Sequence, residues 1–191
     1  MWSDYCCPWC YLALDREAQL EELGVALTVL PYELHPETPA GGVAIRPDGR
    51  RGEAFARVGA ECEAVGLPFT LPVRSPTTRA VLEVAEVVRT TQPAAFGVLH
   101  RSLFAAHFAE GRDIGDPAVV DDLVAAAGAD PASVRAVVAT GAATAMVDTS
   151  MATAAEHDVT GTPAFLLDDR LLVPGVQPRE SLARWVAKLS A

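Results

Sequence analysis

The chain has 191 residues, half of them hydrophobic, with 25 acidic against 15 basic side chains and a formal net charge of −10. That balance argues against a nucleic-acid surface, which needs a basic patch. No apolar run reaches the roughly 18 residues of a membrane span, and four cysteines are too few for a disulfide-dense secreted scaffold. The composition fits a globular protein with a substantial core in one or two domains.

The first element decides the reading. Cys7-Pro8-Trp9-Cys10 places two thiols three positions apart, able to close a small disulfide or stay open as a dithiol. The following Tyr11–Leu23 is helix-forming, with Leu12, Leu20 and Leu23 near one face and Gly24 as a stop. Pro8 suits the first turn, where its missing N–H costs nothing. Cys7 therefore sits at or just before a helix N-terminus. Free N–H groups and the helix dipole favour a thiolate there, so its pKa falls below the free value of about 8.5. Cys10, one turn further in, is less exposed and acts as the resolving thiol. Trp9 is expected to be partly exposed, on an apolar surface that meets substrate. Half of a zinc site is the alternative, but structural zinc takes four ligands and no second cysteine pair is present. The pattern predicts no metal.

Val25–Pro31 reads as a buried strand, and Pro31 to Gly42 as a loop. Helices follow at Gly52–Val65, Thr77–Thr90, Pro93–Glu110, Pro117–Ala127, Pro131–Thr140 and Ala143–His157, several opened by Pro or Asp-Pro. Cys62 shares a stripe with Phe55, Val58 and Val65 and reads as core. Cys6 reads as a small packing residue, since a vicinal disulfide with Cys7 is strained. His107, among Leu103, Phe104 and Phe108, reads as a packed or surface histidine ahead of one facing a cleft. His35, His100 and His157 form no visible constellation. Ala164–Leu167 and Leu171–Val173 read as a hairpin around Asp168-Asp169, and Glu180–Leu189 as an amphipathic helix carrying Leu182, Trp185, Val186 and Leu189.

These pieces resemble the DsbA-like oxidoreductases of the thioredoxin superfamily, and within them the FrnE-like branch. The resemblance rests on Ser3-Asp4-Tyr5-Cys6-Cys7-Pro8-Trp9-Cys10-Tyr11, on Phe104 to Asp116, on Val159-Thr160-Gly161-Thr162-Pro163-Ala164-Phe165 and on Val173 to Gln177. It implies an α/β fold: a thioredoxin-like domain from residues 1–47 and 158–191, with a large all-helical insertion over residues 48–157. It implies a cis Pro163 facing the dithiol, with the Thr162 backbone free to pair with an extended substrate. Pro8, Trp9, Thr162 and Pro163 would then bind substrate around the catalytic Cys7 and Cys10. The family carries a full strand before its dithiol. Residues 1–5 supply only its end, and the reading expects the chain to start upstream.

The implied activity is protein disulfide oxidoreductase or isomerase, with no cofactor beyond the Cys7–Cys10 pair. Protein or small-molecule thiols and disulfides are the expected partners, without nucleic acid or membrane, in a cytoplasmic protein that could be a homodimer. A second expectation is a glutathione- or other low-molecular-weight-thiol-dependent transferase or isomerase of the kappa-class type, the group that includes 2-hydroxychromene-2-carboxylate isomerases. Its members usually carry Ser at the position of Cys7 and lack the second cysteine, so both cysteines argue against it. A third is a non-catalytic, chaperone-like peptide binder, for which no dithiol is needed.

Overall fold

The computed structural model describes residues 1–189. In chain order the elements are β1 (Trp2–Ser3), α1 (Pro8–Glu22), β2 (Leu30–Pro31), β3 (Val43–Ala44), α2 (Arg50–Ala64), β4 (Arg74–Ser75), α3 (Arg79–Thr91), α4 (Pro93–Phe108), α5 (Pro117–Ala126), α6 (Pro131–Ala139), α7 (Ala142–Glu156), β5 (Ala164–Leu167), β6 (Leu171–Pro174) and α8 (Arg179–Leu189). Every expected helix is present with its ends within two residues.

The sheet runs β2-β1-β5-β6. β1 lies parallel to β2, with Trp2 opposite Leu30, and antiparallel to β5, with Trp2 opposite Ala164. Alternation along β5 supplies both faces. Phe165 and Leu167 pack with Ala13, Leu20, Val173 and Leu182, under α1 and α8. Ala164 packs with Trp2, Ala154 and Val159, under α7. The sheet is thus covered by helices on both sides, an α/β thioredoxin fold carrying a helical block from α2 to α7.

The expected strand over Val25–Pro31 shrinks to Leu30–Pro31. A strand needs a partner for its main chain, and β1 offers only two residues. Residues 25–28 instead line a cavity of about 560 Å³ shared with Met1, Phe165 and Leu167. Leu23 is 46% exposed and Val65 38% exposed, so neither joins the apolar face expected of it. Both fall at helix C-caps, where the chain leaves the packed turn. The antiparallel ribbon of β3 and β4 joins segments 30 residues apart in sequence and carries no local hairpin signal.

The helical block is locked to α1 by aromatic rings. Phe104 on α4 meets Tyr5 at 5.0 Å and Tyr11 at 6.2 Å, and Phe108 stacks on Tyr11 at 5.3 Å and on Phe69 at 5.7 Å. Such pairs add to the area they bury. The Tyr11 hydroxyl donates to the Pro68 carbonyl at 2.7 Å. Cys62, Phe55 and Val58 belong to the same core, as the helical stripe predicts. His100, expected to stand alone, is the centre of a buried polar line: its Nδ1 meets the Tyr5 hydroxyl at 3.1 Å and its Nε2 the Glu17 carboxylate at 3.3 Å. The loop before Cys7 and the third turn of α1 are thereby both held to α4.

Candidate active site

Cys7 is the N-cap of α1, in extended conformation with φ −90° and ψ 113°, and Pro8 opens the helix. The Cys7 N–H donates to the Asp4 carbonyl at 3.1 Å, and the Cys7 carbonyl accepts from Cys10 and Tyr11. This wraps the first turn around the Cys7 sulfur. Both motif cysteines are free thiols in this structure, as are Cys6 and Cys62. Cys7 is 3% exposed and Cys10 fully buried, whereas Trp9 between them is 40% exposed.

The two sulfurs have opposite acidities. The Cys7 pKa is lowered, first by a hydrogen bond from the Cys10 thiol, with further help from Thr162 and the Cys10 N–H; burial and the Asp4 charge work against it. The Cys10 pKa is raised well above the ordinary range by burial and by its bond to Cys7. When one of the two thiols ionises, the charge therefore falls on Cys7 and the proton stays on Cys10, which is the division that exchange chemistry needs. The expected helix-terminus effect enters as the Cys10 N–H at the sulfur, secondary to the thiol pair.

Thr162 closes the site from the far end of the chain. Its carbonyl accepts from Cys7 Sγ at 3.4 Å, and its buried hydroxyl has no nitrogen or oxygen partner among the described residues. The Thr162–Pro163 peptide is cis, in agreement with the resemblance. Pro8 and Trp9 join Cys6, Cys7 and Thr162 in lining a cavity of about 200 Å³, completed by Leu34, His35, Arg51, Ala54, Phe55, Val58 and Ser75. The structure therefore gathers Cys7, Cys10, Pro8, Trp9 and Thr162 into one site, with Pro163 adjoining through its peptide bond.

Several other residues stand outside the expectation. Asp4 is completely buried; its carboxylate accepts from the Cys6 N–H at 3.3 Å and the Leu34 N–H at 2.7 Å. Burial pushes its pKa up, against bonds from Leu34, Thr78 and Cys6. The only sequence signal was an acid three residues before Cys7; its partner at Leu34 is a tertiary contact. Cys6 lines the cavity as well as packing, and burial holds its thiol well above the ordinary range. Burial pushes Cys62 up to about 12, with Glu61 and Glu63 adding to it. His107 lies apart from this cavity, in one of about 100 Å³ with Arg112 and Asp113, and burial lowers its pKa to about 4. Among the described residues no three His, Cys, Asp or Glu side chains could share a metal ion, and no helix is long and apolar enough to cross a membrane.

These acidities predict a thiol-modification pattern. Iodoacetamide is expected to alkylate Cys7 first, with a half-maximal rate at a pH below the ~8.5 of an ordinary thiol. Cys10, Cys6 and Cys62 are expected to stay unmodified at neutral pH. Peptide mapping after timed quenching reads this directly, and equal labelling of Cys7 and Cys10 would contradict it.

Residues 1–187 match the DSBA-like thioredoxin domain, and the chain belongs to that family. Among solved structures it is similar to a protein described as "probable DsbA oxidoreductase" from Streptomyces coelicolor, with 27% identity and a TM-score of 0.85 over 98% of this chain and 87% of that one. It shares the fold of a 2-hydroxychromene-2-carboxylate isomerase, at 20% identity and a TM-score of 0.73 over 99% of this chain and 92% of the other. It also shares that of the cytosolic disulfide reductase DsbM from Pseudomonas aeruginosa with GSH, at 20% identity and a TM-score of 0.68 over 99% and 95%. No relative was found among curated proteins.

Proposed function

We propose that the protein is a thiol–disulfide oxidoreductase in which Cys7 is the nucleophile and Cys10 the resolving thiol. The observation that carries this is the opposed acidity of two adjacent free sulfurs at a helix start, one facing Thr162 and a cavity, the other buried. The Cys7 thiolate attacks a substrate disulfide and expels one thiolate. Cys10 then gives up its proton and attacks Cys7, closing the disulfide and freeing the second half. Run backwards, the same steps oxidise a dithiol. The exchange needs no metal or organic cofactor, because both electrons reside on the sulfur pair.

Thr162 and the half-exposed Trp9 ring flank the attacking sulfur and would seat the substrate chain. We place the protein in the cytoplasm, where the pair is held reduced and favours reductase or isomerase work. A low-molecular-weight thiol is a fitting electron donor, in keeping with the glutathione carried by the DsbM structure.

The test is Cys10→Ser. Without a resolving thiol the mixed disulfide through Cys7 is expected to accumulate as a substrate-linked species on non-reducing gels, released by dithiothreitol. If the variant turns over at the wild-type rate and traps nothing, the assignment of Cys10 fails.

A further inference from the structure

Among the described residues, the cavity beside Cys7 is lined by basic side chains and by no carboxylate. Trp9, Leu34, Phe55 and Val58 make most of its wall apolar, and the ionisable groups besides the cysteines are Arg51 and His35. His35 engages Glu37 at 3.1 Å. Arg51 makes no hydrogen bond or ion pair within 4 Å among the described residues, although it stands in a chain of net charge −10. It is exposed, in the first turn of α2, where N-cap Gly49 provides no side-chain cap. The free N–H groups of that turn add positive potential to the guanidinium.

We propose that Arg51 is a specificity-determining residue that makes this cavity favour small disulfides carrying a carboxylate near the sulfur. The inference rests on the exchange reading above and names its substrate class. A guanidinium matches a carboxylate in shape and charge, and an unengaged one can bind it without first breaking an internal pair. The charge of Arg51 reaches into the site, where it acts on Cys6, and it also acts on the exposed Glu37 outside the cavity lining. A cavity of about 200 Å³ limits the recognised group to one held within a few bonds of the sulfur.

The reaction balances on the protein's own dithiol. The Cys7 thiolate attacks one sulfur of R–S–S–R, forming the mixed disulfide and releasing R–S⁻, which takes a proton from water. Cys10 loses its proton to water and attacks the Cys7 sulfur, releasing the second R–S⁻. The substrate gains two electrons, and the protein ends as the Cys7–Cys10 disulfide.

The experiment measures how fast the reduced protein is oxidised by three small disulfides: anionic 3,3′-dithiodipropionate, neutral bis(2-hydroxyethyl) disulfide and cationic cystamine. The wild-type chain is expected to react about tenfold faster with the anionic than with the cationic compound at low salt, with the ratio shrinking as salt is added. Arg51→Gln is expected to bring the ratio close to one, and Arg51→Glu to invert it. Arg57→Gln, the same charge change on the exposed side of α2 away from the cavity, should keep the wild-type ratio. Oxidation of all three at rates indifferent to charge, or an unchanged ratio in Arg51→Gln, would overturn the role of Arg51 and leave the exchange reading intact. Failure of every disulfide to oxidise the reduced wild-type chain would overturn both.

Discussion

Replacing Cys7 by serine is expected to abolish thiol–disulfide exchange completely, down to the rate of the uncatalysed reaction. The loss is total because a hydroxyl cannot enter a disulfide, and because its proton is held far more tightly than the Cys7 thiol holds its own. Cys10 cannot take over: it is fully buried, and its acidity is suppressed by the burial that makes it a good resolving group. The fold should tolerate the change. A side chain of nearly the same size remains at the N-cap, and serine is a favoured residue there. Insulin reduction and oxidative refolding of a scrambled substrate read the activity, while thermal melting shows that the variant is still folded. Full activity in either assay would remove Cys7 from the mechanism.

The second large effect is expected at Asp4, and it falls on stability. Asp4→Ala leaves a buried N–H on Cys6 and a half-buried one on Leu34 without their acceptor. Each buried orphan costs about 1–3 kcal/mol, so a loss of about 3 kcal/mol is expected. Asp4→Asn keeps one oxygen as acceptor and should lose less. The pH dependence has a definite sign. Burial raises the Asp4 pKa above its ordinary 3.8, so the folded chain holds this proton more tightly than the unfolded one. The stabilisation from that proton is complete below the unfolded value and is lost as pH rises through the higher folded value. Wild type should therefore lose ground against Asp4→Asn between acid and neutral pH. Urea midpoints for the three proteins across that range decide it. An Asp4→Ala midpoint equal to wild type would show that the two backbone bonds carry no stability.

Asp4 also couples stability to reactivity. Its charge opposes the thiolate on Cys7, so the asparagine variant should ionise Cys7 at lower pH. A carboxylate that bonds the loop before Cys7 to Leu34 thus has two effects: it holds the loop in place, and when ionised it weakens the nucleophile.

The legible part of the molecule was whatever short-range chemistry specifies. Pro8, Pro93, Pro117 and Pro131 each open a helix, because a proline ring suits a first turn and no later one. Gly24, with φ 75°, ends α1 because a left-handed residue suits glycine. The hairpin around Asp168-Asp169 was legible as two short apolar runs with a turn between them, but the face each side chain takes was not. Strand length was misjudged at residues 25–29 because pairing depends on how many residues the neighbouring strand offers, and apolar composition says nothing about that. Leu23 and Val65 were misjudged because helix periodicity continues past the turn where packing stops.

The sequence alone determined that two thiols stand at the start of a helix, with a helical block behind it. That much follows from residue spacing within single elements. Only the tertiary structure decided what surrounds the two sulfurs and which partners set their acidities. Thr162 reaches Cys7 across 155 positions, Asp4 meets Leu34 across 30, and Arg51 enters the cavity from a separate helix. Acidity depends on desolvation and on partners within a few ångströms, and the partners that distinguish this site from any other helix-start dithiol are supplied by folding.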